Sequence, residues 1–185
     1  MKHVLAVRQD NNGDVLLVGP AVRAIASSAR VTLLCGPRGA AAANALPGVE
    51  RVLVLRAPWI DPEPDPVDPA TLSEFVAGVR EMALDEAAIF TSFHQSALPL
   101  ALLLRMAGVD RIGAISDDYP GSLLDVRHRV DDDIHEVERA LSLAAAMGYV
   151  LPADDDGRLR MTGTAPIVSA VISSTGCRGT LDGMS

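Results

Sequence analysis

The segment VLAVRQDNNGDVLLVGPAVRAIA, residues Val4–Ala26, decides the fold. It begins with a short apolar run of the kind that forms a buried strand, and Asn11-Asn12-Gly13 then provides a turn. Beyond the turn, apolar residues recur at spacings of three and four, which indicates an amphipathic helix from 14 to about 28. Pro20 lies inside this helical pattern and predicts either a kink or the first turn of the true helix.

The same alternation of short apolar runs and helical runs continues outward from this segment. We expect further strands at 31–35, 51–56, 87–91 and 111–115, helices at 38–46, 71–82, 95–107 and 133–147, and one more candidate strand at 167–173. Such alternation predicts an α/β fold, a doubly wound, Rossmann-like parallel sheet. We assign residues 1–152 to this domain and residues 153–185 to a linker and a tail without periodicity.

Charge and cysteine content exclude several classes of function. The 185 residues include 16 Lys+Arg and 24 Asp+Glu, so the formal net charge is −8 and general nucleic-acid binding is disfavoured. Membrane contact is expected to be peripheral at most, because no apolar stretch approaches about 20 residues. Two cysteines cannot form a disulfide framework or supply a four-ligand zinc site, and they favour a cytoplasmic protein.

Candidate site residues follow from the fold, because ligands of open parallel sheets bind beyond the carboxyl ends of the strands. Asp14 begins the first helix, where a carboxylate either satisfies free backbone N–H groups or serves as a general base. His94 follows the fourth strand and could be an acid, a base, a substrate contact or no part of the site. The run Asp131-Asp132-Asp133 before His135 suits a helix N-terminus better than a metal site.

No cofactor or metal is expected from these loops. The loop after the first strand has one glycine where the dinucleotide fingerprint Gly-x-Gly-x-x-Gly has three, and no Gly-Lys-Ser/Thr follows it. A small flavodoxin-like enzyme is therefore the least favoured hypothesis.

Three segments carry a resemblance to a known family. Val4–Ala26 has Gly-Asp, an aliphatic run and Pro-Ala before a basic residue; Phe90–Ser116 ends in AGVDRIGAIS; and Ile134–Gly148 contains His-x-Val-x-Arg. Together and in this order they resemble glycosyltransferase family 9, the ADP-heptose:lipopolysaccharide heptosyltransferases, over about residues 3–160.

The resemblance implies the N-terminal half of a GT-B glycosyltransferase, in which two Rossmann-like domains face each other across a cleft. It implies an inverting, metal-independent transfer from an ADP-heptose-like nucleotide sugar to a glycan or glycolipid acceptor, in cell-envelope glycan biosynthesis. The residue matching Asp14 is then the catalytic base. The residues that we assign to acceptor binding are Asn12, Gly13, His94, Gln95, Ser96 and His135.

The length of the chain departs from the family pattern, because family members are about twice as long. We therefore expect a truncated enzyme without its donor-binding domain, inactive or weak alone, whose partner is a missing C-terminal half or a second copy. Leaving-group stabilisation is a large electrostatic contribution, and the other half would supply it. The alternative is a non-catalytic interaction or dimerisation module derived from the family, so whether this chain is an enzyme stays open.

Overall fold

A seven-stranded parallel sheet forms the centre of the molecule. The computed structural model describes residues 1–131 and 133–162 together with the backbone of residues 168–172. The strand order across the sheet is β6-β5-β4-β1-β2-β3-β7, and every neighbouring pair is parallel. The strands are β1 Lys2–Arg8, β2 Ala29–Cys35, β3 Arg51–Leu55, β4 Glu86–Ile89, β5 Arg111–Ile115, β6 Val126–His128 and β7 Val168–Ile172.

Helices cover both faces of this sheet. They are α1 Asn12–Leu17, α2 Gly19–Ala26, α3 Ala40–Ala45, α4 Pro69–Glu81, α5 Leu98–Ala107 and α6 Glu136–Ala146, with a 3-10 turn at Pro37–Gly39. Successive residues of β1 point to opposite faces, so Val4 packs in the core layer beneath α1, α2, α3 and α6. Leu5 packs in the layer beneath α4 and α5. The predicted doubly wound sheet is therefore confirmed.

Local boundaries differ from the sequence-based expectation where polar or proline residues intervene. The helix expected over 14–28 is two helices, since α1 ends at Leu17 and Pro20 occupies the first turn of α2. The helix expected from 95 begins at Leu98. The helix expected from 133 begins at Glu136, because His135 caps it. Strand β6 was not expected, because its three half-buried residues are too few to show a period.

The candidate strand at 167–173 is confirmed as β7, which pairs with β3 at the edge of the sheet. Residues 173–185 lie outside the described part of the chain, so the proposed tail stays a prediction. Within the expected linker, Asp155 forms a bidentate ion pair with Arg23 of α2, at 2.6 and 2.8 Å. Both side chains are 9% exposed, and the segment after α6 is thereby fastened across α2.

None of the helices in the described ranges combines the length and apolarity needed to cross a bilayer.

Candidate functional site

The candidate site lies at the carboxyl edge of the sheet, where the loops after β1, β4 and β5 meet the N-terminus of α6. These loops are residues 9–11, 90–97 and 116–125. All strands are parallel, so the polar loops that follow them gather on one edge, as expected for an open α/β sheet.

Arg8, the last residue of β1, is the central cation of this edge. Its side chain is 2% exposed, yet its guanidinium meets three carboxylates. Nε lies 2.6 Å from Oδ2 of Asp10, Nη2 lies 3.3 Å from Oδ1 of Asp14, and Nη1 lies 3.2 Å from Oε2 of Glu136. A buried cation is tolerated only when it is paired, so these contacts tie β1, α1 and α6 together.

Asp10 extends this network to the loop after β4. The residue is 7% exposed, and its carboxylate accepts hydrogen bonds from Oγ of Ser92, at 3.2 Å, and from the Gln95 amide. Ser92 also accepts a hydrogen bond of 2.8 Å from Nη2 of Arg8. The loops after β1 and β4 are therefore held in one fixed arrangement.

Asp14 lies in the first turn of α1 and reaches solvent, with its side chain 26% exposed. It is not the helix cap: Asn11 caps α1, because its Oδ1 accepts from the backbone N–H groups of Gly13 and Asp14, at 2.8 and 3.3 Å. The Asn11 amide also donates to Oδ2 of Asp14 at 2.6 Å. One carboxylate oxygen thus contacts Asn11 and the other contacts Arg8, which fixes the orientation of the group.

Two of the residues assigned to acceptor binding contribute to packing at this edge. Oδ1 of Asn12 accepts a hydrogen bond of 3.0 Å from the backbone N–H of Ala42, joining α1 to α3. At Gly13, a Cβ atom would lie 3.1 Å from Oδ1 of Asn11, so the absence of a side chain leaves room for the cap.

The other assigned residues divide between the network and the surface. Gln95 bonds to Asp10, and Oγ of Ser96 donates to Oδ2 of Asp118 at 3.3 Å. His94 is exposed, and within the described residues its ring makes no hydrogen bond. His135 is exposed and caps α6, since its Nδ1 accepts from the backbone N–H of Val137 at 3.2 Å.

A pocket of about 230 Å³ opens beside the network, between the loops after β4 and β5. Its lining includes His94, Gln95 and Ser96, three of the assigned residues, and also Arg139 of α6. A larger cleft of about 800 Å³ lies next to it and contains His128, whose Nε2 is 3.0 Å from Oγ of Ser142. Burial, and then the nearby charge of Arg139, lower the pKa of His128.

Sequence reasoning assigns no role to four residues that the structure places at this edge, namely Arg8, Asp10, Glu136 and Arg139. Asp10 lies in the loop predicted after the first strand, and Arg139 is the arginine of the His-x-Val-x-Arg segment. A charge at the end of an apolar strand is the one local signal for Arg8. Its contact with Glu136 joins residues 128 positions apart, and no local pattern reveals such a contact. Across the described residues, no group of three or more His, Cys, Asp or Glu side chains is arranged to hold a metal ion.

Comparisons with known proteins were made on sequence and on structure. No protein-family model matches the sequence, and no curated protein matches it either. Solved structures do match in fold. The E. coli heptosyltransferase WaaC with ADP-2-deoxy-2-fluoro heptose aligns with a TM-score of 0.62 and 21% identity, over 83% of this chain and 50% of that one.

Two further solved structures give the same result. The E. coli ADP-heptose lps heptosyltransferase II aligns with a TM-score of 0.61 and 16% identity, over 78% of this chain and 40% of its own. A family 9 glycosyl transferase from Veillonella parvula DSM 2008 has a TM-score of 0.61 and 13% identity, over 85% and 43%. The chain thus has the fold of about half of these proteins and spans about half of their length.

Proposed function

We propose that this chain is the acceptor-side half of an inverting glycosyltransferase, with Asp14 as the base that activates the acceptor hydroxyl. The observation that carries the proposal is the Asp14 carboxylate, which is partly exposed at the carboxyl edge of the sheet and oriented by Arg8 and Asn11. The fold shared with heptosyltransferases supports it. A general base must be both accessible to substrate and held in position, and Asp14 meets both conditions.

In the proposed reaction, a carboxylate oxygen of Asp14 accepts the proton of the acceptor hydroxyl. The hydroxyl oxygen then forms a bond to the anomeric carbon of the donor sugar while the bond from that carbon to the diphosphate breaks. The nucleoside diphosphate leaves from the opposite face, so the configuration at the anomeric carbon is inverted. The base and the leaving group therefore act on opposite sides of the sugar.

The donor in this proposal is a nucleotide sugar of the ADP-heptose class. Similar solved structures contain ADP or ADP-2-deoxy-2-fluoro heptose, and this supports the choice. The groups that stabilise the departing diphosphate would belong to the facing half of the cleft, because such stabilisation requires donors placed around the leaving group. A cytoplasmic location and a role in cell-envelope glycan synthesis complete the proposal.

On the acceptor side, His94 and Ser96 are the assigned residues that line the pocket beside the network. Their ring and hydroxyl can exchange hydrogen bonds with sugar hydroxyls. Gln95 is engaged with Asp10, so its contribution is to hold the loop in place. His135 and Asn12 shape the edge through α6 and α1.

The test is transfer of labelled heptose from ADP-heptose to lipopolysaccharide that lacks heptose. The chain is assayed alone and with a separately supplied donor-binding half. We expect transfer in the second arm, and we expect Asp14→Asn to lower its rate by about 10²–10⁴-fold, the usual contribution of a general base.

Asp110→Asn is the matched control, because Asp110 is an exposed carboxylate just before β5, at the opposite edge of the sheet. This variant should keep the wild-type rate within about twofold, since isolated surface charges contribute little. Transfer that survives Asp14→Asn at the wild-type rate would remove Asp14 from the proposed role. Absence of transfer by the wild-type chain in both arms would count against the proposed function itself.

A further inference from the structure

Arg139 differs from the other two arginines that the structure buries most deeply. Arg8 meets three carboxylates and Arg23 forms a bidentate pair with Asp155. Arg139 is 7% exposed, yet among the described residues its guanidinium forms no ion pair and no hydrogen bond, and it contacts the ring of Phe93. Its Nε is buried without a hydrogen-bond partner, as is Nε of Arg8, but Nε of Arg8 lies 2.6 Å from a carboxylate oxygen of Asp10. Burying an unpaired charge is unfavourable, so an uncompensated guanidinium at this position requires an explanation.

Arg139 lies between the ring of Phe93 and a pocket large enough for a small ligand. The guanidinium carbon lies 4.5 Å from the ring centroid of Phe93, an arrangement that orients the planar group and partly offsets its burial. Arg139 also lines the pocket of about 230 Å³, where the hydroxyls of Ser92 and Ser96 and the ring of His94 are the neighbouring polar groups. A fixed planar fork with free N–H groups suits a carboxylate or a phosphate.

Two carboxylates also border this pocket, those of Asp117 and Asp118. Both residues are exposed, and Asp118 is engaged by the hydroxyl of Ser96. Exposed charges are solvated and screened, so neither neutralises the buried guanidinium of Arg139.

We propose that Arg139 is an anion-binding residue that takes the carboxylate or phosphate group of a sugar ligand entering this pocket. Ser92 lines the pocket and also bonds to Arg8 and Asp10, so a ligand held on Arg139 lies beside the carboxylate network. The identification of this ligand as the acceptor rests on the proposed function; the anion site itself does not.

The experiment titrates the full chain, without donor, with D-glucuronate, glucose 6-phosphate and neutral glucose. Binding is followed by NMR on the side-chain Nε–Hε signal of Arg139, which is identified by its absence in Arg139→Lys. We expect one or both anions to shift this signal at millimolar concentration and glucose to leave it unchanged. A shift with glucuronate alone indicates a carboxylate ligand, and a shift with glucose 6-phosphate alone indicates a phosphate ligand. A shift with both indicates a site that binds either anionic group.

Arg139→Met keeps the length of the side chain beside Phe93 and removes the charge. We expect it to weaken binding of the effective anion by at least about tenfold, and Arg139→Lys, which loses the planar fork, to weaken it less. Because these variants lack the Arg139 side-chain signal, their affinities, and that of the wild type for comparison, are measured on the backbone amide signals of residues 92–96, which line the pocket. Arg129→Met is the matched control, because Arg129 is an exposed arginine of the neighbouring cleft. This control should change affinity by no more than about twofold.

The proposal is overturned if neither anion shifts the Arg139 signal, or if Arg139→Met and Arg129→Met lose affinity equally. Should Arg139→Met fail to fold, the titration of the wild-type signal and the Arg139→Lys comparison still decide the question. Asp14→Asn should bind the anion like the wild type. Loss of transfer in Asp14→Asn and loss of anion binding in Arg139→Met are therefore separate results.

Discussion

At the residue scale, Arg8 and Arg139 show two ways in which one sheet edge accommodates a buried cation. Arg8 is surrounded by carboxylates from the loop after β1, from α1 and from α6, and this pairing makes it an organising residue of the edge. Arg139 contacts the ring of Phe93 and, among the described residues, no carboxylate. The first arrangement stabilises the fold, whereas the second leaves a charge available to a ligand.

Removal of the Arg8 charge tests its organising role. We expect Arg8→Gln to lower the free energy of unfolding by about 3–5 kcal/mol, because the buried carboxylate of Asp10 loses its cation and the three carboxylates then repel one another. Urea denaturation measures this change. Arg129→Gln, at an exposed position, should stay within about 0.5 kcal/mol of wild type.

The double variant Arg8→Gln/Asp10→Asn separates charge pairing from packing. It should recover part of the loss seen in Arg8→Gln, since it removes the most buried of the unpaired carboxylates. If Arg8→Gln alone leaves the free energy of unfolding unchanged, the network has no structural importance.

At the element scale, the turn after β2 packs closely against the backbone of the loop between β1 and α1. Gly36 follows β2, and a Cβ atom at this position would lie 2.5 Å from the backbone oxygen of Gln9. This close approach sets the path of the chain between Arg8 and Asp10. The position of the carboxylate network therefore depends on a glycine that belongs to a neighbouring element.

Gly36→Ala should displace the loop after β1 and lower the free energy of unfolding by about 1–3 kcal/mol, the usual result of overpacking against backbone. Gly78→Ala is the control, because Gly78 lies within α4 and an added Cβ meets nothing within 4 Å. It should instead stabilise by about 0.5–1 kcal/mol through helix propensity. Chemical denaturation measures the free energy of unfolding of both variants. An equal change in the two would contradict the close approach of Gly36 to the backbone of Gln9.

At the scale of the whole molecule, the ion pair between Arg23 and Asp155 holds the segment after α6 to the helical layer. The hydrogen bond from Arg23, the backbone N–H of Gly157 and the charge of Arg23 hold the pKa of Asp155 well below its usual range, against the opposing effect of burial. An unfolded aspartate binds its proton at higher pH than the folded one. Acid therefore favours the unfolded chain.

This linkage predicts the pH dependence of stability. The contribution of Asp155 is fully present above the ordinary aspartate pKa of about 4 and is lost as the pH falls below it. Asp155→Asn should lower stability at pH 7 and weaken the decline between about pH 4 and pH 2, as followed by thermal unfolding. Asp154→Asn, at the exposed neighbour, should reproduce the wild-type profile. Identical profiles for the two variants would show that the Arg23 pair contributes nothing.

The sequence by itself determined the class of fold and the edge on which the candidate site lies. The apolar runs that became β1, β2, β3, β4 and β5 are short, local and buried on both faces, so composition and periodicity identify them without tertiary information. The parallel order then places the polar loops, with Asp14 and His94, on one edge. Whether the chain acts in glycosyl transfer or as a non-catalytic module stays a hypothesis.

Only the tertiary structure decided which side chains on that edge meet. Glu136 and Gln95 reach Arg8 and Asp10 across more than 80 positions of sequence, and the helix expected over 14–28 broke where Pro20 could begin a new one. That the guanidinium of Arg139 has no carboxylate partner among the described residues is likewise a result of tertiary packing. Hydrophobic periodicity indicates whether a residue is buried in its own helix or strand. Which charged side chains form ion pairs depends instead on how elements distant in sequence pack together.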